Sequence, residues 1–587
     1  MIAGAARGGR GAEDAPSVVF LFLRRMRAPL IVLVASYAVA MLGLTLMPGV
    51  DAEGRPWRMD FFHAFYFFSY TATTIGFGEL PHPFSDAQRL WVSFAIYLTV
   101  IAWVYAIGKI IALFQDPAFQ RVLAAAQFAR RVRALAEPYY IVCGYGETGG
   151  LLVDALDRDG VRTVVVDIDP GRINELDLAD LQSAVPGLTA DASLPQSLLL
   201  AGVRRGRCAG VVAVTNSDTA NLAIAIATKV LNPRVPVVAR CESREVAANM
   251  ASFGTDYIID PFERFGSYLG VAVSAPSLYL LREWLTAVPG SPLAEPIEPP
   301  KGTWVLAGFG RFGRAVADSL ARHGNRVSVI EVDPEGAGRP QAVRGSGTEA
   351  HTLEAAGIRS AVGLVAGTPD DVNNLSVVIT ARELNPKLFV VMRKNRIANG
   401  ILVERIAPDI VMQPSRIVAR TAFGILTAPL LHRFFALARG RDEDWANELA
   451  ARIAAVATDV VPDSWSVSVD RQGAGAACEW ARAGALRIEH LLGDPADRTN
   501  RLALIPLLLA RADEEILLPP DPTAVRPGDR VLFCGSRETA RRQSYLVHNA
   551  NMMQYVVTGE IPSSAVWRWL RRRAATPAGG AAPRGTS

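Results

Sequence analysis

The sequence predicts an α-helical membrane module of two spanning helices with a re-entrant loop between them. Two α/β Rossmann-like units and a smaller α+β C-terminal subdomain follow it. Three observations carry this reading. Nearly all long apolar runs lie before residue 115, two of them long enough to cross a bilayer and a third, between them, too short. A strand–GxGxxG–helix–strand–acid pattern follows, and the same pattern then recurs.

At 587 residues the chain exceeds a single compact domain, and a length prior gives about three to four. Half of it is hydrophobic and 20% is charged. A net charge of +4 is close to neutral at this length, so no case for a nucleic acid partner arises. The five cysteines, Cys143, Cys208, Cys241, Cys478 and Cys534, form no CxxC pair. Three of them end strand-like runs (YYIVC, VVARC, VLFC), where buried reduced thiols are expected, and a reducing compartment fits best.

The first element is an N-terminal segment, residues 1–28, of which 1–17 are Gly/Ala/Arg-rich and read as disordered. Pro29 to Met47 then carries no charge over 19 residues. At a rise of about 1.5 Å per residue that is enough to span, and it is too long for a signal peptide. The second span, 90–114, holds one charge, Lys109, near its far end, where the side chain can snorkel. Arg24, Arg25 and Arg27 precede the first span, and Arg121, Arg130, Arg131 and Arg133 follow the second. The intervening loop is mostly acidic (Asp51, Glu53, Asp60, Glu79, Asp86). Positive charge on the inner side puts both termini in the cytoplasm and the chain in the cell (inner, plasma) membrane as a multi-pass protein.

Between the spans, residues 60–73 are apolar and aromatic but too short to cross, with Asp60 suited to cap a half-helix. Such a helix must end inside protein, because bare backbone in lipid is too costly. Thr73-Thr74-Ile75-Gly76-Phe77-Gly78 follows, against the plain alternative of a glycine-containing turn. The segment resembles the potassium-channel filter TVGYG in its TIGFG form. A dehydrated K+ needs a ring of oxygen dipoles, and alternating glycines permit the backbone angles that turn successive carbonyls one way. The resemblance implies a filter over 74–78, with K+ held by the carbonyls of Thr74, Ile75, Gly76 and Phe77 and by the Thr74 hydroxyl, ahead of Gly78. Phe77 replaces the usual Tyr and Glu79 the commoner Asp. Tyr70 is expected behind the filter, bonded to Glu79. The inner helix has Thr99 near its middle instead of a glycine, and Gly108 is read as a packing position in preference to a hinge.

From Pro138 the pattern turns to strand–turn–helix alternation. Tyr140–Cys143 precedes Gly144-Tyr145-Gly146-Glu147-Thr148-Gly149, and TVVVDID places Asp167 at a strand tip. Thr303–Ala307 precedes Gly308-Phe309-Gly310-Arg311-Phe312-Gly313, with Glu331 at the next tip. TNSDTANLAIAIATKVLNP (215–233) matches TPDDVNNLSVVITARELNP (368–386), and DYIIDP (256–261) matches DIVMQP (409–414). The offset between the glycine turns, from 144 to 308, exceeds that between the later pairs, from 215 to 368, so the first copy is the longer.

Two such units after a pore loop resemble RCK domains, the regulators of potassium conductance also found in Trk-type uptake systems. The resemblance divides the chain into a pore domain at 29–115, a linker at 116–137, a first RCK domain at 138–290, a second with C-terminal subdomain at 301–560, and a disordered tail at 574–587. It implies a nucleotide site at Gly144, Gly146, Gly149, Asp167, Asp191, Thr215 and Asn221. A second would use Gly308, Gly310, Gly313, Arg311, Glu331, Thr368 and Asn374. Glu147 in the first glycine turn would repel phosphates, and Arg311 at the same place in the second would attract them. The second site also lacks the acid at Asp191, having Ser346 there, and a purely structural second site stays an open alternative. Strand-tip acids in both copies favour NAD, NADH or an adenine nucleotide over NADP. Asp513, Glu514 and Glu515 read as solvated surface, with a divalent ion such as Ca2+ as the alternative.

The resemblance therefore implies a ligand-gated potassium channel subunit, with passive K+ conduction through a homotetrameric pore in the lipid bilayer and a ring of RCK domains as the gate. One filter strand per chain cannot enclose an ion, so four chains are needed. The alternatives are a nonselective cation channel of the same build and a membrane-anchored NAD-dependent oxidoreductase. No catalytic domain follows either glycine turn, and the seven histidines form no grouping in the sequence that suggests catalysis.

Overall fold

The computed structural model describes residues 18–286, 293, 297–457 and 460–560. The segment 1–17 and the tail 574–587 lie outside these residues. The chain divides into two compact units, one running to Ala136 and taking in Leu200–Gly202, the other made of the remaining residues from Glu137.

In the first unit, helix α1 runs Val18–Leu46 with Pro29 inside it. It begins well ahead of the boundary expected at Pro29. Charge ends a membrane span but not a helix, and nothing in VVFLFLRRMRA breaks one. Helix α2 (Phe61–Ala72) is capped by Asp60, whose carboxylate accepts from the His63 N–H at 2.8 Å. Helix α3 (Asp86–Gln115) opens with a capping box between Ser85 and Gln88. The linker that follows is itself helical, α4 (Pro117–Ala134), capped by Asp116 with Pro117 in its first turn. Helices α1 and α3 are both long and apolar enough to cross a membrane. They pack closely where Gly43 faces the Trp91 ring, and the Trp91 indole donates to the Ala40 carbonyl at 3.0 Å. Ala40, Leu44, Phe67, Phe68, Val92 and Ala95 form the buried centre. Val34, Leu42, Phe94, Ile101 and Ile111 point outward, more than half exposed, as lipid-facing side chains do.

The second unit holds two sheets of one topology. Strands β1 (Tyr139–Cys143), β2 (Arg162–Asp167), β3 (Gly187–Thr189), β4 (Cys208–Ala213), β5 (Val237–Arg240) and β6 (Tyr257–Ile259) make the first. It is entirely parallel, in the order β3-β2-β1-β4-β5-β6. Helix α5 (Glu147–Arg158) follows β1; α6 (Pro261–Ser274) and α7 (Pro276–Thr286) follow β6. The second sheet repeats the order as β9-β8-β7-β10-β11-β12. Its strands are β7 (Thr303–Ala307), β8 (Arg326–Glu331), β9 (Val343–Arg344), β10 (Gly363–Ala366), β11 (Phe389–Arg393) and β12 (Ile410–Met412). Helix α8 (Arg311–Arg322) follows β7, and α9 (Pro414–Thr427) and α10 (Pro429–Ala438) follow β12. Runs such as Val164-Val165-Val166 and Leu364-Val365-Ala366 are fully buried, as parallel strands covered on both faces require. All five cysteines are free and buried.

The C-terminal sheet is antiparallel: β13 (Asp463–Ser468), β14 (Leu504–Ala510), β15 (Glu515–Leu517) and β16 (Arg530–Gly535), ordered β13-β16-β14-β15. Along β16, Val531 and Phe533 enter one core while Leu532 and Cys534 enter the other. A bulge between Pro506 and Leu508 shifts that alternation in β14. The Arg526–Asp529 turn leads into β16, with Asp529 accepting from the Arg526 N–H at 2.8 Å and pairing with Arg511 at 3.0 Å.

Candidate pore loop and nucleotide sites

After α2 the backbone alternates. Thr74, Gly76 and Gly78 take positive φ (62°, 66° and 73°), with Ile75 and Phe77 between them. The Ile75 and Gly76 N–H groups both donate to the Tyr70 carbonyl, at 2.9 and 3.2 Å, so the helix end anchors the strand. A threonine in this left-handed region is uncommon and carries strain. At Gly76 and Gly78 a Cβ would meet nothing within 4 Å of the same chain, so the backbone angle, not space within one chain, demands glycine there. Phe77 lies parallel to the Tyr66 ring with centroids 6.4 Å apart, and edge-on to Tyr70 at 5.9 Å.

Glu79 is held by two tyrosines. The Tyr70 hydroxyl donates to the Glu79 backbone carbonyl at 3.2 Å, while the Glu79 carboxylate accepts from Tyr66 at 2.9 Å. The expected side-chain partner is thus one helical turn away from Tyr70. Tyr66 and Tyr70 share a helix face at i, i+4, and that spacing was the signal available for it. On α3, the Thr99 hydroxyl donates back to the Ala95 carbonyl at 2.9 Å, and Gly108 borders open space.

In the second unit, each glycine turn is shaped by close approach. Gly144 (φ 100°) packs on Thr215, and a side chain at Gly149 would run into the Gly144 carbonyl. Gly308 (φ 94°) and Gly313 repeat the arrangement. The strand-tip acids fasten the turns. Asp167 accepts from the Tyr145 and Asp169 N–H groups at 2.5 and 2.8 Å, and Glu331 accepts from those of Phe309 and Val332 at 2.5 and 2.9 Å. Gly146 and Gly310 sit at the N-caps of α5 and α8, where unpaired N–H groups favour phosphate.

Asn221 and Asn374, expected at the ligand, lie fully buried beneath the turns. The Asn221 amide oxygen accepts from the Thr215 N–H and hydroxyl at 3.0 and 2.7 Å, and its nitrogen donates to the carbonyls of Thr215 and Arg240 at 3.1 and 3.0 Å. Asn374 does the same with Thr368 and Arg393. With oxygen and nitrogen both occupied, these side chains tie strand ends together. Asp191 binds its own turn through Ser193 at 2.9 and 2.6 Å, and Ser346 bonds Thr348 at 2.6 Å.

A cavity of about 430 Å3 opens over the second glycine turn, bounded by Gly308, Gly310, Arg311, Glu331, Gly345, Ser346, Thr368 and Arg393. Sequence reasoning missed Arg393. Its guanidinium lies over the Phe262 ring at 4.8 Å, its Nε has no partner among the described residues, and burial pulls its pKa below the usual arginine range. Glu147 and Arg311 are committed elsewhere than expected. Glu147 crosses to the second copy, accepting from the Ile397 N–H at 3.1 Å and the Ser415 hydroxyl at 3.3 Å. Arg311 crosses to the first, pairing with Glu242 at 2.7 Å. Among the described residues no three His, Cys, Asp or Glu side chains gather as metal ligands. Glu514 and Glu515 pair with Arg511 and Arg433.

Residues 29–116 match the ion channel family, and 140–261 and 304–414 each match the TrkA-N domain. Potassium channel protein 1 of Methanocaldococcus jannaschii is 27% identical over 203 residues, 35% of this chain and 59% of that one. A Trk system potassium uptake protein TrkA homolog of Pyrococcus horikoshii is 31% identical over 140 residues, 22% of this chain and 61% of that one. The chain thus spans less than two thirds of either relative. Among solved structures, the GsuK channel aligns with 90% of this chain and 99% of its own at 17% identity and a TM-score of 0.46. The GsuK channel bound to NAD aligns with 89% and 98% at 15% identity and a TM-score of 0.44. In this chain a two-span ion-channel module precedes tandem TrkA-N domains.

Proposed function

We propose that this chain, an ion-channel module joined to tandem TrkA-N domains, is one subunit of a homotetrameric potassium channel gated by a nucleotide. The alternating left-handed backbone at Thr74, Gly76 and Gly78 carries the reading. In such a strand successive carbonyls share one side, which is the arrangement a dehydrated K+ needs from each of four chains. The open space beside Gly76 and Gly78 is where the other three strands would stand. The ion ligands are the carbonyls of Thr74, Ile75, Gly76 and Phe77 with the Thr74 hydroxyl; the pore domain covers 29–115, the RCK domains 138–290 and 301–560, and both termini are cytoplasmic.

The gating ligand is an NAD-like or adenine nucleotide, and the second copy's cavity supports a site there. Gly308, Gly310 and Gly313 offer a phosphate cradle, and Glu331 stands where a ribose diol would sit. Both Glu331 oxygens already accept N–H groups, yet a carboxylate has lone pairs to spare for hydroxyls. Gly144, Gly146, Gly149 and Asp167 form the equivalent first site, with Asn221 and Asn374 as framing. The matched potassium channel and TrkA proteins support the transport reading over an oxidoreductase.

Planar-bilayer recording with opposed KCl and NaCl, and NAD added to the side bearing the C-terminal unit, tests the proposal. The expected reversal potential lies near that of K+, and NAD changes the open probability. Equal permeability to the two ions would favour the nonselective alternative.

A further inference from the structure

A second kind of ligand site lies away from both glycine turns, where the helix pair α6–α7 of the first copy meets α9–α10 of the second. The chain bends by 110° between α9 and α10, leaving adjoining cavities of about 270 and 420 Å3 that share Arg264, Arg282, His432 and Phe435. Arg416 and Arg420 line the first of them and Arg439 the second. Arg420 is already paired with Glu283 at 3.3 Å. Among the described residues, no carboxylate oxygen comes within salt-bridge distance of Arg264, Arg282, Arg416 or Arg439.

Arg282 is the centre of the cluster. Its guanidinium lies 3.6 Å from the Tyr268 ring centre, bonds the Tyr268 hydroxyl, and sits 5.6 Å from Phe435. Burial and the neighbouring arginines pull its pKa down to about 10. Burial and the same positive charges pull His432 down to about 4, so it is neutral at pH 7. A desolvated guanidinium among like charges is costly unless an anion answers it. Guanidinium forks match phosphate oxygens two at a time.

We propose that this cleft binds a small molecule bearing two or more phosphate groups, held by Arg264, Arg282, Arg416 and Arg439. Two of these arginines belong to the first copy and two to the second. A ligand there bridges the copies and favours whichever arrangement keeps the four close. The site stands independently of the dinucleotide reading above.

Calorimetric titration of the full chain in detergent with inorganic pyrophosphate tests it, alongside thermal unfolding. The expected result is saturable binding, a raised Tm, and at least tenfold weaker binding in R416Q/R439Q. Both side chains are exposed at the rim, so that variant keeps the fold. R264Q is expected to weaken binding as well. An ADP arm separates two sources of the phosphates: tighter binding than pyrophosphate with the same arginine dependence identifies a nucleotide, and equal affinity identifies the phosphates alone. No binding, or unchanged binding in R416Q/R439Q, overturns the proposal. So does loss of the signal in G310D with R264Q unaffected, because the probe would then be reading the second glycine turn.

Discussion

Glu79 meets two tyrosines in two different ways, and the difference predicts two different mutants. Tyr70 donates to a neutral backbone carbonyl, so Tyr70→Phe loses about 1 kcal/mol, or about fivefold in the stability of the open filter. Tyr66 donates to a carboxylate, and bonds to ionised acceptors are the stronger kind. Tyr66→Phe is therefore expected to hasten inactivation more than Tyr70→Phe, measured as decay of potassium current under steady activation. The reverse order would mean that the carboxylate is not what steadies Phe77. Much at this scale was legible: TIGFG implied glycines at special backbone angles, and Gly76 and Gly78 have them. The Tyr66 contact was missed although its i, i+4 spacing from Tyr70 was there to read, because a sequence motif names positions along a strand and draws the eye away from the helix face that reaches back to it. Asn221 and Asn374 misled for a related reason. A polar residue beside a ligand motif reads as a ligand contact, and only burial with both ends occupied reveals a tie between strand ends.

Among the elements, the repeat was plain because both copies keep a strand and glycine turn, the segments 215–233 and 368–386, and the segments 256–261 and 409–414 in the same order. In the C-terminal sheet the strand at VLFC was legible, but Val531, Leu532, Phe533 and Cys534 all sink into one core or the other, so no period-two signal told which face met which core. The start of α1 was hidden too, because the charges at Arg24 to Arg27 mark the edge of a span without breaking the helix that carries it. The contact of α6 with α8, which joins the copies, depends on glycine. A Cβ at Gly266 would lie 2.6 Å from the Ala315 carbonyl oxygen, and one at Gly270 would run into Ser319 and His323. Gly266→Val is expected to force the helices apart at a cost of about 1–3 kcal/mol, read as a lowered Tm. Gly424, inside α9, has open space beside it. Gly424→Ala is expected to hold or raise Tm, since helix propensity gains up to about 1 kcal/mol. A similar loss in both variants would show that helix flexibility, not the approach of α6 to α8, sets the effect.

Across the whole C-terminal unit, the two copies are interlocked through one pair of equivalent residues. Glu147 and Arg311 occupy the same place, each directly after the second glycine of its turn, and each reaches into the other copy. The sequence showed their opposite charges but not their destinations, since no local pattern encodes a partner as far along the chain as Glu242 is from Arg311. The pairing changes what phosphate binding at the second turn involves. Arg311 borders that cavity, yet its guanidinium is held by Glu242, which also pairs with Arg240 at 2.5 Å. A nucleotide that recruits Arg311 must draw it from Glu242, so occupancy of the second site loosens a contact made by the first copy. Linkage makes the effect reciprocal: whatever keeps Glu242 on Arg311 weakens the nucleotide by the same factor. Glu242→Gln frees Arg311 and is expected to tighten NAD binding to the full chain. Arg311 is largely exposed in the pair, and exposed ion pairs contribute up to about 1 kcal/mol, so the gain is on the order of fivefold. Arg311→Met removes the recruit itself and is expected to weaken binding. Calorimetric titration of both variants reads the two signs directly. If Glu242→Gln weakens NAD binding as Arg311→Met does, the ion pair holds the site in shape and does not compete with its ligand.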